Sequence, residues 1–540
     1  MRAATSSQGC CRVCCHVWGC ASAPPKRLAV QGGLASRTAL SRLTHDLRCA
    51  NAASAGDVDV LGFINRMARG MLWSQMEESM PVDMSRHFTL PQLIRFTLPT
   101  IGMMLFMSLY VMVDGFFVSN WCGQTALAAV NFAYPIPMIL GTLGFMFGTG
   151  GSAIVAKTRG EGDDARANRQ FSLLVYAAIV AGAAFAALGV LLLRPLLVAL
   201  GAQGEMLDLC MVYAMPLVMG VPATVLQYLF QELLVTAGKP ELGFGVTVAA
   251  GLTNIVVDAV LIALLDFGVV GAAIGTIAGE AVGGIIPLVY FARPNKSFLR
   301  LGRTNMDWRM LGHACVNGSS EMVSNIAMSL VSMAYNVQLL VYLGESGVAA
   351  YGVIMYVGMA FVAVFMGYVF GSSPLMSFQY GANNRIEMRS LFRKSLLFVS
   401  ICGVAMFIAT RVFARPLALV FVGYSEGLAE LTVHAMLLYS ASLLIVGFNM
   451  YGSALFTALG NGLVSAIISF VRTLIFEIGA VFLLPTLFGA DGIWVSVVVA
   501  EAAALVLTTT CILVLEPRYG YIRTDADVSK RSGNSSDGHV

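Results

Sequence analysis

Six acidic side chains, Asp114, Asp258, Glu280, Glu321, Glu477 and Glu501, stand inside long apolar runs of this 540-residue chain, and one arginine, Arg472, stands in another. An ionisable group in such surroundings is costly and marks a pathway or a coupling site. Asn254 precedes Asp258 by four residues, so the two share one helix face a turn apart. Thr276 adds a hydroxyl in the next apolar run. Carboxylates with an amide and a hydroxyl suit a proton or a hard cation, because two unpaired carboxylates in low dielectric cannot both stay ionised. Covalent catalysis would need a nucleophile with a base, or a His/Cys metal cluster. Ser319 and Ser320 have only His313 nearby, so the chain reads as a non-enzyme with no cofactor.

The elements that must hold these residues are membrane helices. Of all residues 57% are apolar and only 12% charged, where a soluble domain carries about 25% charged residues. The net charge of +3 offers no concentrated basic face for nucleic acid. The apolar runs are continuous rather than alternating, which favours helices over a barrel. A criterion of about 20 mostly apolar residues gives twelve spans: 96–119, 125–156, 168–192, 207–236, 241–265, 270–292, 313–342, 348–377, 390–411, 428–457, 463–486 and 491–515. The longest connection, 293–312, divides them into two lobes, 87–292 and 313–515, with a tail from 516.

Short loops on the side of both termini carry 20 Lys and Arg, and the other side carries Arg194, Arg411 and Arg415. The positive-inside rule therefore puts both termini in the cytoplasm. At 1.5 Å per residue, Asp114, Asp258 and Thr276 all lie about 10 Å below the outer surface. No basic residue of the first lobe's spans neutralises them. Glu280 and Glu501 fall near the midplane, and Arg472 at a depth similar to Glu501, which makes an Arg472–Glu501 pair the plain structural account of the second lobe. Glu280 has no such partner, and Glu321 shares its helix with Ser319, Ser320, Ser324 and Asn325. Glu280, Glu321, Glu501 and Arg472 are candidates for a substrate or proton path. His434, near the outer end of span 10, reads as a solvated imidazole.

The chain also repeats itself. A shift of 221 residues places Gly123, Ala128-Ala129, Gly150, Ser152 and Gly160 on Gly344, Ala349-Ala350, Gly371, Ser373 and Gly381. Arg194-Pro195-Leu196 falls on Arg415-Pro416-Leu417, and Phe267-Gly268-x-x-Gly271 with Glu280 falls on Phe488-Gly489-x-x-Gly492 with Glu501. Each copy has an even number of spans, so both enter the membrane the same way, as in carriers that rock about a central site. The first 86 residues read as a disordered extension. Six of the eleven cysteines (Cys10, Cys11, Cys14, Cys15, Cys20 and Cys49) lie there, without a second ligand pair at a zinc spacing. A leader of seven basic residues and one acid before position 50 also suits a transit peptide.

Val113-Asp114-Gly115-Phe116-Phe117-Val118, Gly123 with Ala126-Leu127-Ala128-Ala129-Val130, Gly160-Glu161-Gly162-Asp163 and Asn254-x-x-x-Asp258 together resemble the multidrug and toxic compound extrusion (MATE) family across about 90–515. Pro374 with Ser377-Phe378-Gln379-Tyr380-Gly381-Ala382-Asn383 resembles its staphylococcal-type multidrug export branch. The resemblance implies an all-α fold of twelve helices in two pseudo-symmetric six-helix bundles. It also implies antiport of amphipathic, often cationic compounds against H⁺ or Na⁺, and carries the family's amino-lobe cation site onto Asp114, Asn254, Asp258 and Thr276. Some members place an aspartate in span 10, where this chain has His434. A plasma-membrane monomer is the expected form. The alternatives are a flippase for a lipid-linked saccharide, which would want a basic cavity where this chain offers Arg472 alone, and a non-transporting receptor.

Overall fold

The bilayer offers no water to peptide groups, so each apolar run closes its own hydrogen bonds as a helix. The computed structural model describes residues 81–122, 124–423 and 425–522; they are almost wholly helical, with no strand among them. The membrane helices of the first bundle are α1 (Leu90–Cys122), α2 (Pro135–Gly160), α3 (Asp164–Ala199), α4 (Gly204–Thr236), α5 (Pro240–Leu264) and α6 (Gly268–Ala292). A short helix, Gln124–Ala133, leads into α2. The helix Trp308–Gly381 is broken at Gly344, whose φ of 64° and ψ of −156° suit glycine alone. Its arms, 308–343 and 345–381, are α7 and α8. The expected loop between these spans thus shrinks to one residue. The second bundle is completed by α9 (Arg385–Val422), α10 (Glu426–Ala458), α11 (Gly462–Phe488) and α12 (Ala490–Tyr519).

Several helices change pitch where the acids stand. α1 ends in the π-helical turn Val118–Cys122, α5 in Ala259–Leu264, and α11 carries Val471–Glu477 at its centre. Asp114 lies four residues before the first, Asp258 directly before the second, and Glu477 inside the third. Such π turns recur at functional sites because they redirect side chains within a continuous helix.

The bundles join along α1, α2, α7 and α8, where glycines let backbones touch. A Cβ on Gly150 of α2 would lie 2.0 Å from the Ala314 carbonyl of α7, and one on Gly318 of α7 would lie 2.0 Å from that of Met146. Its counterpart under the 221-residue shift is Gly371 of α8 against Thr97 and Thr100 of α1. Gly160 and Gly381, the last residues of α2 and α8, form a third crossing about the same axis: their Cβ atoms would meet the carbonyls of Phe378 and Lys157 at 2.0 Å. These crossings lie in the half that carries the described termini. There, two apolar cores draw on both bundles, one joining Leu174, Leu229 and Phe230 to Met310 and Ala314, the other joining Phe96 and Ile101 to Phe365 and Leu455. In the opposite half each bundle keeps its own core, around Val130 and Tyr213 in the first and around Tyr335 and Met436 in the second.

Residues 293–307 lie along α3, with the Arg300 N–H donating to Asn168 Oδ1 (2.7 Å) and Leu299 buried, and Asp307 caps α7 through the Met310 N–H (3.0 Å). Residues 81–86, which the sequence groups with the extension, are already packed at the seam. The Val82 N–H donates to the Gly238 carbonyl (3.0 Å) in the first bundle, and Gln379 of the second donates to the Met84 carbonyl (2.7 Å). The Phe88 N–H reaches Glu387 Oε1 at 3.0 Å, while His87 pairs with the same carboxylate and Lys394 donates to the Phe88 carbonyl. Met84 and Phe88 are buried in this packing. Asp83 accepts from both the N–H and the hydroxyl of Ser85, which holds its carboxyl below the usual range. The cysteine-rich leader and its metal or targeting readings lie outside the described residues.

Gly150→Ala should destabilise the detergent-solubilised protein by about 1–3 kcal/mol, the usual cost of overpacking, read as a lower thermal midpoint. Gly352→Ala, with open space around it, should leave that midpoint unchanged.

Candidate functional site

The first bundle holds carboxylates without a counter-ion. Asp258, the last α-helical residue of α5 before its π turn, is wholly buried, and neither of its carboxylate oxygens has a hydrogen-bond partner. Gly275 of α6 makes room for it, since a Cβ there would lie 1.8 Å from Asp258 Oδ1. One turn away, Gly279 does the same for Asn254, whose Cβ stands 3.1 Å from where a side chain would begin and whose Oδ1 is also unpartnered. Asp114 of α1 is half-buried, leaves Oδ1 unpartnered, and turns its carboxyl to that of Asp258. Asp114, Asn254 and Asp258 are thus brought together by α1 and α5 with α6 as their floor. Thr276, the residue after Gly275, is half-buried and no hydrogen bond ties it to the pair.

Among the described residues no Lys, Arg or His acts on either aspartate. Four unpartnered oxygens, Asp114 Oδ1, Asn254 Oδ1 and both of Asp258, form a hard, anionic donor set. Such a set fits a proton or an alkali cation. No group of three or more His, Cys, Asp or Glu suited to a metal ion occurs among the described residues.

Glu280 of α6 faces the same interior. Thr224 of α4 donates to its Oε2 at 2.6 Å, and Tyr110, Tyr134, Tyr213 and Tyr228 lie within its electrostatic reach. Tyr228 stacks on Phe145 with ring centroids 4.1 Å apart. A carboxylate among aromatic faces can hold an organic cation through charge and through the ring quadrupole.

The second bundle answers its carboxylate instead. Arg472 of α11 donates to Glu501 Oε1 through Nε (2.9 Å) and a terminal nitrogen (2.6 Å), and Asn449 donates to Oε2 (2.6 Å). Glu501 corresponds to Glu280 under the 221-residue shift, but Arg472 corresponds to Gly251, which is packed against Phe106 and Tyr110. Tyr335 stands at the position of Asp114, and Gly479 at that of Asp258. The cation-type cluster is therefore not duplicated. Glu477 lies near this ion pair and Tyr439, and Glu321 of α7, half-buried, feels the field of Arg472. His434 pairs with Asp491 at 2.9 Å, both more than half exposed, at the mouth of the second bundle.

One acid escaped the sequence analysis. Glu232 of α4 is 1% exposed and neither of its carboxylate oxygens has a partner. It stands in the run Leu229-Phe230-Gln231-Glu232-Leu233-Leu234, and the rule applied to the other intramembrane acids would have found it. The tyrosines around Glu280 carry no comparable signal, because they come from three separate segments.

Arg472→Met should leave Glu501 buried and uncompensated, costing about 3–5 kcal/mol in thermal unfolding of the solubilised protein. Arg472→Met combined with Glu501→Met should recover most of that loss.

The MatE family model matches residues 99–260 and 322–483, once in each bundle. Multidrug export protein MepA of Staphylococcus aureus (strain N315) is 23% identical over 436 residues, covering 80% of this chain and 93% of that protein. The protein of the same name from Staphylococcus haemolyticus (strain JCSC1435) is 23% identical over 444 residues, covering 82% and 95%. Among solved structures, the outward-facing conformation of a multidrug resistance MATE family transporter of the MOP superfamily superposes with a TM-score of 0.75 at 22% identity, over 79% of this chain and 96% of that one. A MOP superfamily transporter from Pyrococcus furiosus gives 0.73 at 23% identity, over 77% and 94%. With the family model matched in both halves, over more than half of its length, the chain belongs to the MatE family and is a multi-pass membrane transporter rather than an enzyme.

Proposed function

We propose that this transporter is a secondary antiporter that exports amphipathic, often cationic compounds in exchange for inward H⁺ or Na⁺. The observation that carries the reading is the Asp114–Asp258 pair, with Asn254 beside it, unpartnered oxygens and no cation to neutralise it. Thr276 completes the proposed ligand set by position alone. Charge on this pair opposes close packing of α1 on α5, and a bound proton or Na⁺ removes that opposition. The ion thereby gains the differential affinity for one conformation that a coupled switch requires.

Glu280 and its tyrosines supply the place for an organic cation, and Glu321, Glu501 and Arg472 mark the path in the second bundle. Occupation of the pair by the ion and of the Glu280 pocket by the compound compete through charge in one bundle, which suits exchange rather than joint passage. The loop charges, 20 Lys and Arg against three, favour cytoplasmic termini. We assign the chain to the plasma membrane as a monomer. A lipid-linked saccharide would want a free basic cavity, and Arg472 is already committed to Glu501. Receptor function would give no counterflow of a labelled drug.

Asp114→Asn and Asp258→Asn should each lower gradient-driven uptake of a fluorescent cation into everted vesicles at least tenfold while the protein stays inserted. Undiminished transport by either would reject the site. Gly275→Ala should act in the same direction, because its Cβ displaces the Asp258 carboxylate. Imposing Na⁺ and H⁺ gradients separately in proteoliposomes identifies the coupling ion, and wild-type transport that responds to neither would overturn antiport.

A further inference from the structure

Outside the proposed coupling cluster, Glu232 is the one buried acid among the described residues with both carboxylate oxygens unpartnered, and it stands at the seam between the bundles. Glu232 of α4 packs against α2 at Gly148, where a side chain would begin 3.2 Å from Glu232 Cγ. Two residues further, Gly150 meets the α7 backbone at Ala314 and Gly318. Glu321 lies one turn past Gly318 on α7, so both carboxylates sit just above the tightest crossing of the bundles, on its midplane side. No hydrogen bond satisfies either oxygen of Glu232, and Glu321 is the one charged group that acts on it. Asn325 donates to the backbone carbonyl of Glu321 (2.8 Å) rather than to its carboxylate.

The remaining groups facing the pair do not neutralise it. α2 presents glycines here. On α4 itself, Gln231 donates to Met107 Sδ (3.1 Å) of α1, and Glu280 of α6 is occupied by Thr224 two turns away. Arg472 of α11 reaches Glu321 only through its field and is held by Glu501.

We infer that Glu232 and Glu321 form a second proton site, shared across the seam, whose proton holds the bundles together on the termini side. This rests on the alternating-access reading proposed above. With the seam closed, two neighbouring carboxylates in low dielectric cannot both be ionised, so one of them keeps its proton. Opening the seam separates α4 from α7 and admits water. The proton then leaves to solvent, and both groups ionise. Closing takes one proton back, so acid favours the closed seam and alkali the open one. An alkali cation would find few further oxygens here, since the wall opposite Glu232 is glycine.

The test uses the full chain in lipid nanodiscs, with native cysteines replaced by alanine and spin labels at Ala165→Cys and Ile386→Cys, both exposed on the termini side of different bundles. Asp114→Asn and Asp258→Asn are included so that the first site contributes no titration. The closed-to-open ratio read from label distances should still rise as pH falls, by up to about tenfold per pH unit, the limit for one proton taken up. Adding Glu232→Gln should flatten that slope to less than twofold per unit, and Glu321→Gln should do so independently should the first variant fold poorly. An unchanged slope in both variants overturns the site. A ratio that follows Na⁺ at fixed pH overturns its assignment to a proton. Loss of the slope in the aspartate-substituted background alone overturns it as well, whereas failure of that background to lose transport would count against the coupling cluster instead.

Discussion

A carboxylate in a water-poor interior has three ways to exist: paired with a cation, protonated, or bound to an ion that comes and goes. The arrangement of this transporter follows from using different answers in its two halves. In the second bundle Glu501 is paired by Arg472 and held by Asn449. In the first bundle Asp114, Asp258, Glu280 and Glu232 have no such cation among the described residues. Their charge state is therefore tied to the conformation and to what is bound, which is the property a coupled carrier needs.

The contrast stands on a duplicated scaffold. Glycine crossings repeat under the 221-residue shift, Gly150 with Gly318 matching Gly371 with Thr97, because the backbones must approach identically wherever the two copies meet about their axis. The side chains at corresponding interior positions do not repeat. Tyr335 replaces Asp114, Gly479 replaces Asp258, Ser453 replaces Glu232 and Arg472 replaces Gly251. Ser453 lies in a network of hydroxyls with Ser465 and Ser469, at 2.8 and 3.0 Å, that satisfies itself where Glu232 cannot. Duplication fixed the architecture, and divergence within it paired Glu501 in one half while leaving Asp114 and Asp258 without a counter-ion in the other.

The seam links the two. Apolar cores on the termini side cross between bundles, whereas those of the far side stay private to each. Contact is thus concentrated in one half of the membrane, reinforced by the segment from Val82 to Phe88 that touches both bundles. A pair of acids in that contact region makes its closure sensitive to protons by the same rule that governs the cluster deeper in the first bundle.

The twelve spans were legible because hydrocarbon demands long apolar runs and internally bonded backbone, and both requirements act on neighbours in sequence. Helical rise converts position into height, which is how the sequence assigns Asp114, Asp258 and Glu280 their expected depths. The single-residue break at Gly344 and the packing of residues 81–86 were not legible, because both depend on what lies against them. Nor could the sequence single out Glu232 as facing Glu321, surround Glu280 with tyrosines, or show that Gly275 leaves space for Asp258. By itself the sequence determined how many helices cross and how they repeat, both consequences of local geometry. Only the tertiary structure decided which charges face one another, because the rotation and crossing of each helix are set by side chains on distant helices.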